Sequence, residues 1–328
     1  MAQESLIGAA TEFALYPGSH SDASAQDFLG KYPLPDIINA LQKNGDYPVL
    51  LDCLDRIFRT KYGASLIPHY MPFVEAGLLA HTHELRCLAC KAVSRLLDES
   101  TAIHLILHHS VYQHLLLCLI NGDELVASAA TEAITHLARF PKTTDIIFPH
   151  ASEEATHLGV LASKSSSLAR VRILALIVKL FSISRSLASV ICNSNLLQLL
   201  EAEVKSTNDT LVMLSVLELL YELSEVQHST EFLSRTTILH LLSSIISDAA
   251  SDSILRARSM MITGRLLSKE NAFEYINQSS FETVVSAIDR RFDFLESQDA
   301  DECECALEAL GEIGLCKSPL VLFLFVPR

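Results

Sequence analysis

The chain has 328 residues, 49% of them hydrophobic, and a net charge of −14 from 39 acidic and 25 basic side chains. That balance argues against nucleic acid as a partner, because no basic face is available to neutralise phosphates. No window reaches the ~18 apolar residues a membrane-spanning helix needs, and MAQESLIGAATEF has neither the basic start nor the long apolar core of a secretory signal. The eight cysteines are scattered from Cys53 to Cys316 and read as free thiols of a reducing compartment, the cytoplasm with the nucleus open. Only 11 Gly and 10 Pro punctuate the chain. No stretch shows the alternating β-branched pattern of strands, so the class expected is all-α.

Residues 1–32 contain YPGSHSDASAQ between two weakly apolar pieces and read as a poorly ordered arm with one frayed helix. Helices begin after Pro33. Asp36 opens DIINALQKNG and Asn44-Gly45 closes it. Asp46 to Arg59 and Pro72 to Leu79 form a degenerate first repeat, as expected of a terminal unit.

Regular units follow. Leu97, Leu137, Leu180, Leu223, Leu266 and Ile313 lie 40, 43, 43, 43 and 47 residues apart, each closing a long apolar-periodic stretch. Such a period marks armadillo and HEAT arrays. The long first helices are expected to start near residues 83, 123, 167, 209 and 252, with Asp123, Ser166, Asn208 and Ser251 as caps for the orphan N–H groups. A short second helix (TAIHLIL, TTDIIF, SLASVI, STEFL, NAFEYI) and a third (VYQHLLLCLI, NLLQLLEAEV, TILHLLSSII, SFETVVSAID) complete each unit. Three helices per unit is the armadillo layout. The expectation is a right-handed armadillo/HEAT-like α-solenoid of six to seven repeats over residues 33–315. After Gly314 the chain reads LCKSPLVLFLFVPR, and this apolar tail, 316–328, stands where further repeats should follow.

Few constellations suggest chemistry. Cys87-x-x-Cys90 follows His81 and His83 and offers zinc-type ligands. Positions 87 and 90 nevertheless fall inside an amphipathic helix, where cysteine serves as a small buried residue. Cys303 and Cys305 point to two sides of one helix, and His108, His109 and His114 accompany no nucleophile motif. Glu218, Glu222 and Glu225 line one helical face and read as solvated, with nothing basic beside them. These observations imply no catalysis and no cofactor or metal.

One pattern survives as a candidate surface. Aligned on their apolar pairs, the third helices carry His114, His157, Gln198, His240 and Thr283 just before the pair. Three residues on stand Leu117, Val160, Glu201, Ser243 and Ser286; seven on stand Asn121, Lys164, Lys205, Ser247 and Arg290. Offsets of zero, three and seven share a helix face. In an armadillo stack the third helices line the concave side. The protein-binding ladder expected is therefore His114, His157, Gln198, Glu201, Lys205, His240, Ser243, Thr283, Ser286 and Arg290.

TLVMLSVLELLYELSEVQHSTEFLSRTTILHLLSSII and FLESQDADECECALEALGEIG, with GDYPVLLDCLDRIF and LHHSVYQHLLLCLINGDELVASAATEAITHLA, resemble the proteasome non-ATPase regulatory subunit 5 family over residues 40–314. The order and spacing of several segments carry the likeness, not one motif. The resemblance implies a non-catalytic assembly chaperone of the 26S proteasome base; the chain is expected to be a monomer and to meet other base subunits only indirectly. Such a chaperone holds the C-terminal domain of one AAA+ ATPase subunit and leaves the mature particle. Members of that family are longer, so Cys316 to Arg328 is expected to mark a truncated or alternative product. Another armadillo adaptor, or a zinc protein built on the His/Cys-rich second repeat, is the alternative. A nuclear-import carrier is disfavoured because its groove uses Trp ladders and this chain has no Trp.

Overall fold

In a computed structural model, the described residues are 2–44, 48–108, 110–148, 157–294 and 300–314. Their regular structure is helical, with no strand among the described residues. The chain divides into two compact units, Met1–Ser152 and Glu153–Arg328.

The first unit contains α1 (Ala2–Leu15), α2 (Asp22–Lys31), α3 (Leu34–Asn44), α4 (Pro48–Phe58) and α5 (Lys61–Leu66). A 3-10 turn, Ile67–Tyr70, then leads into α6 (Met71–Leu78), α7 (His83–Val93), α8 (Glu99–His108), α9 (Val111–Asn121), α10 (Glu124–Leu137) and α11 (Pro141–Ile147). The expectation of a poorly ordered arm is corrected here. Phe13 stacks on His20 with ring centroids 3.6 Å apart and meets Phe28 at 4.5 Å, so α1 and α2 close on an aromatic core. Leu6, Ala10, Ala25 and Leu29 are buried with them. The polar composition marks only the turn between the helices. Gly18 takes φ +114° there, a conformation that glycine adopts without steric cost. Arg56 of α4 holds that turn, donating from Nη1 to Tyr16 O at 2.9 Å and Gly18 O at 3.0 Å. The N-terminal helices are thus fastened by a side chain 40 residues away.

The second unit contains α12 (His157–Ser163), α13 (Ser167–Ile183), α14 (Arg185–Asn193), α15 (Gln198–Ser206), α16 (Thr210–Glu225) and α17 (Ser229–Leu233). It continues through α18 (Ile238–Ser247), α19 (Ser253–Leu267), α20 (Ala272–Tyr275), α21 (Gln278–Phe294) and α22 (Ala300–Gly314). The long helices pack in succession, α13 on α16, α16 on α19 and α19 on α22, while α18 packs against α21. Residues 315–328, which include the apolar tail, lie outside the described residues, as does Gly45.

Helix starts follow cap chemistry. The long helices begin at residues 83, 124, 167, 210 and 253. Asp123 accepts from Val126 N at 2.8 Å and Ser166 from Ala169 N at 3.4 Å. In the next two units the cap lies one residue beyond the position expected. Asp209, not Asn208, accepts from Leu211 N at 2.9 Å, and Asp252, not Ser251, from Ile254 N at 3.1 Å. A carboxylate meets the positive helix end with charge as well as a hydrogen bond, which an amide or hydroxyl cannot add.

The register leucines occupy the core with one exception. Leu137, Leu180, Leu223, Leu266 and Ile313 are all at most 1% exposed, each worth about 1.5–3 kcal/mol of burial. Leu97 is instead 58% exposed and Leu96 is buried. The cause is local: α7 stops at Val93, and i→i+3 bonds from Arg95 N to Ala92 O and Leu96 N to Val93 O tighten the chain. The tighter winding brings Leu96 inward and leaves Leu97 outside.

α19 packs closely on α22. Gly264 lets the backbones approach so closely that a Cβ on it would lie 2.8 Å from Ala309 Cα. Nearer the start of α19, Arg256 donates from Nε and Nη2 to the two carboxylate oxygens of Glu302, both at 2.8 Å.

Candidate protein-binding surface

The ladder expected on the third helices divides when the side chains are placed. In the second unit, His157, Gln198, Lys205, His240, Thr283, Ser286 and Arg290 are exposed. Glu201 and Ser243 are not: they are 6% and 7% exposed. Glu201 accepts from Thr237 N at 3.0 Å and from the Thr237 hydroxyl, and Lys205 Nζ stands 3.6 Å away. It secures the start of α18 rather than offering itself to a partner. The helical angle explains the correction. At 100° per residue, a step of seven returns within about 20° of the starting direction, whereas a step of three falls about 60° to one side. On α15 that side meets Thr237 at the start of α18, whereas Leu117 and Val160 at the same offset stay 49% and 45% exposed. Ser243 on α18, which packs on α21, is covered in the same sense, whereas Ser286 on α21 stays exposed.

Several exposed members already have local partners. Lys205 Nζ donates to Thr237 Oγ1 at 3.2 Å, Gln198 Nε2 to Asn195 Oδ1 at 3.3 Å, and Thr283 Oγ1 to Ser279 O at 2.7 Å. In the first unit, His114 of α9 is half-buried, and its Nδ1 is buried without a hydrogen-bond partner among the described residues.

The long helices of the second unit carry a second face that sequence reading undervalued. Glu218, Glu222 and Glu225 on α16 were expected to have no basic company, but neighbouring helices supply it. Arg258 pairs with Glu218, Lys179 approaches Glu222 at 3.9 Å, and Arg265 lies 2.8 Å from Glu225 and 3.1 Å from Glu312. The Arg258 guanidinium stands 3.9 Å from the Tyr221 ring centroid, a cation–π arrangement. Burial pushes the Glu312 carboxyl above its ordinary range, and Arg265 opposes that. Most of these partners are well exposed, so each pair contributes at most about 1 kcal/mol.

At the N-terminal edge of the same face, large aliphatic side chains point into solvent. Leu168, Leu211 and Ile254 are 62%, 74% and 50% exposed, each one residue after the start of its long helix. Leu125 of α10, in the first unit, is 73% exposed at the same helix position. The signal was available in the sequence, since residues 125, 168, 211 and 254 keep the 43-residue period. A periodic apolar residue suggests core until its place in the first turn, where the chain enters from solvent, is considered.

The cysteine–histidine cluster of the first unit does not converge. His83 Nδ1 pairs with Asp123 at 2.8 Å, and His81 is exposed. Cys90 is fully buried and turns to Cys118, whose Sγ donates to Leu78 O at 3.3 Å. Burial raises the Cys87 thiol and pushes Cys53 up to about 12, so both are held as thiols at neutral pH. No three His, Cys, Asp or Glu side chains among the described residues are placed to hold a metal ion.

The family model described as proteasome non-ATPase 26S subunit matches residues 34–321. The chain belongs to this family. A curated relative, the human 26S proteasome non-ATPase regulatory subunit 5, is 23% identical over 247 residues, which is 74% of this chain and 47% of the relative. The chain therefore spans about half the length of that relative. Among solved structures, Kap121p bound to Nup53p superposes with a TM-score of 0.52 at 12% identity, covering 98% of this chain and 34% of that one. A designed armadillo repeat protein gives 0.43 at 15% identity, over 75% of this chain and 99% of the design. The described residues of this family member are all-α, with long helices that recur at a 43-residue period and pack in succession, the architecture of an armadillo/HEAT-like solenoid. No helix among its described residues is long and apolar enough to cross a membrane.

Proposed function

We propose that this protein is a non-catalytic, monomeric assembly chaperone of the 26S proteasome base. In this reading it works in the cytoplasm and nucleus and holds the C-terminal domain of an AAA+ ATPase subunit on residues 33–315. The observation that carries the reading is the family match across residues 34–321 of a helical repeat fold. Such folds hold other proteins on extended surfaces, and the exposed face of the third helices offers one in each unit. With Glu201 and Ser243 removed, the contacts proposed are His114 in the first unit and His157, Gln198, Lys205, His240, Thr283, Ser286 and Arg290 in the second.

The test is capture of purified C-terminal domains of the base ATPase subunits by the full chain. Wild type should retain one of them selectively; retention of none overturns the reading. The combined variant His240→Glu/Arg290→Glu should weaken capture about tenfold or more, near 1.4 kcal/mol, with an unchanged far-UV spectrum. Undiminished capture would remove the third helices as the contact. A specific observation favours the long-helix face as the second location: the exposed row Leu168, Leu211 and Ile254. Leu211→Glu, which changes no buried side chain, separates the two.

A further inference from the structure

The first unit contains a cleft of about 310 Å³ across α4, α7 and α10. Its apolar lining comes from Leu51, Leu88 and the exposed Leu125. Four carboxylates, Asp52, Asp55, Glu84 and Asp123, stand in the lining against one lysine, Lys91. Two of the four are engaged: Asp55 pairs with Arg95 at 2.9 Å and Arg59 at 2.6 Å, and Asp123 with His83 at 2.8 Å. Asp52 and Glu84 are exposed and make no ion pair among the described residues.

We propose that this cleft receives a basic side chain, arginine above all, from a partner polypeptide. An apolar wall beside unengaged carboxylates matches the amphipathic form of Lys and Arg, which lay an aliphatic stem on apolar surface and present a charged head at its edge. Arginine is favoured because its planar fork donates to carboxylates in parallel pairs, and its weak hydration lowers the cost of entry. The size agrees: about 300 Å³ is the bottom of the range for small-molecule pockets and suits one long side chain better than a cofactor. The chain's net charge of −14 favours approach by a basic segment. An anionic ligand would meet like charge at the entrance, and a wholly apolar one would leave Asp52 and Glu84 beside uncompensated surface. The inference rests on the protein-binding reading only in taking the partner to be a polypeptide.

The probe is the blocked tripeptide Ac-Leu-Arg-Leu-NH2, titrated into the full chain with methyl-labelled leucines. Its citrulline analogue, equal in shape but uncharged, runs in parallel. Saturable shifts at the methyls of Leu51, Leu88 and Leu125 are expected, with the citrulline peptide about tenfold weaker. Asp52→Asn/Glu84→Gln should bring the arginine peptide down to the citrulline level with an unchanged melting curve, since both side chains are exposed. Equal binding of the two peptides, undiminished binding by the double variant, or shifts confined to other leucines would each overturn the inference. If the peptide saturates the cleft while no ATPase domain is captured, the assembly reading falls and the cleft stands. If an ATPase domain is captured and the peptide leaves these methyls unmoved, the cleft falls and the assembly reading stands.

Discussion

Replacing Glu302 by alanine should cost about 3–5 kcal/mol and loosen α22 from α19, because it takes a bidentate, charge-assisted pairing away from a buried guanidinium. Glu302 is 1% exposed and Arg256 7%, and two charge-assisted hydrogen bonds of 2.8 Å join them. With the carboxylate gone, the guanidinium loses both of those bonds while its hydrogen bond to the carbonyl of Ser251 remains. The two helices also meet closely further along, where Gly264 lies against Ala309. Set against a typical domain stability of about 5–15 kcal/mol, the loss is large enough to open this end of the unit selectively. The companion variant Arg256→Met/Glu302→Leu should recover most of the loss, since the desolvation of two ions disappears together with their attraction. Urea unfolding followed by far-UV circular dichroism gives the magnitude, and hydrogen exchange over 253–267 and 300–314 gives the place. A Glu302→Ala variant within about 1 kcal/mol of wild type would show the pair behaving as an exposed one and would refute the reasoning.

Leu223→Ala should lower stability by about 2–5 kcal/mol, whereas Leu97→Ala, at a nominally equivalent position, should stay within about 0.5 kcal/mol of wild type; equal melting shifts for the two would show the register to be misplaced. Gly264→Ala should destabilise by about 1–3 kcal/mol, because the added carbon meets backbone that cannot give way, and a neutral melting curve would mean that α19 and α22 are less close. Asp123→Ala should cost about 1 kcal/mol through loss of the cap on α10, a loss that Asp123→Ser should largely restore. Burial pushes the Lys269 ammonium down from 10.5 to about 8, so its neutral form is favoured in the fold. Between those two values the unfolded chain binds the extra proton, and stability should rise with pH there. Lys269→Met should lose that rise, and identical pH slopes of melting temperature in variant and wild type would contradict it.

The helix plan was legible because its causes are local. Apolar spacing and a capping side chain act within a few residues, and they placed the long-helix starts at 83, 124, 167, 210 and 253 within one residue. The same locality explains the errors. Asn208 and Ser251 are plausible caps in isolation, and only the folded turn shows that Asp209 and Asp252 reach the N–H groups. The N-terminal helices were missed because Arg56, which secures their turn, lies 40 residues further on. Of the candidate residues, those at offsets of zero and seven are mostly exposed, whereas Glu201 and Ser243 at the offset of three are buried.

By itself the sequence determined the helical class, the repeat period, the family and the positions where each long helix begins. These depend on composition and on interactions a few residues long. The tertiary structure decided what each helix face meets. It put Glu201 and Ser243 inside and Leu168, Leu211 and Ile254 outside, paired Glu218 with Arg258 and Arg256 with Glu302, and opened a cleft beside Asp52 and Glu84. In a repeat fold those neighbours are 30 to 50 residues apart in the chain. Whether a side chain is solvated, paired or buried is therefore set by the angle at which one repeat lies on the next, a quantity that no short stretch of sequence contains.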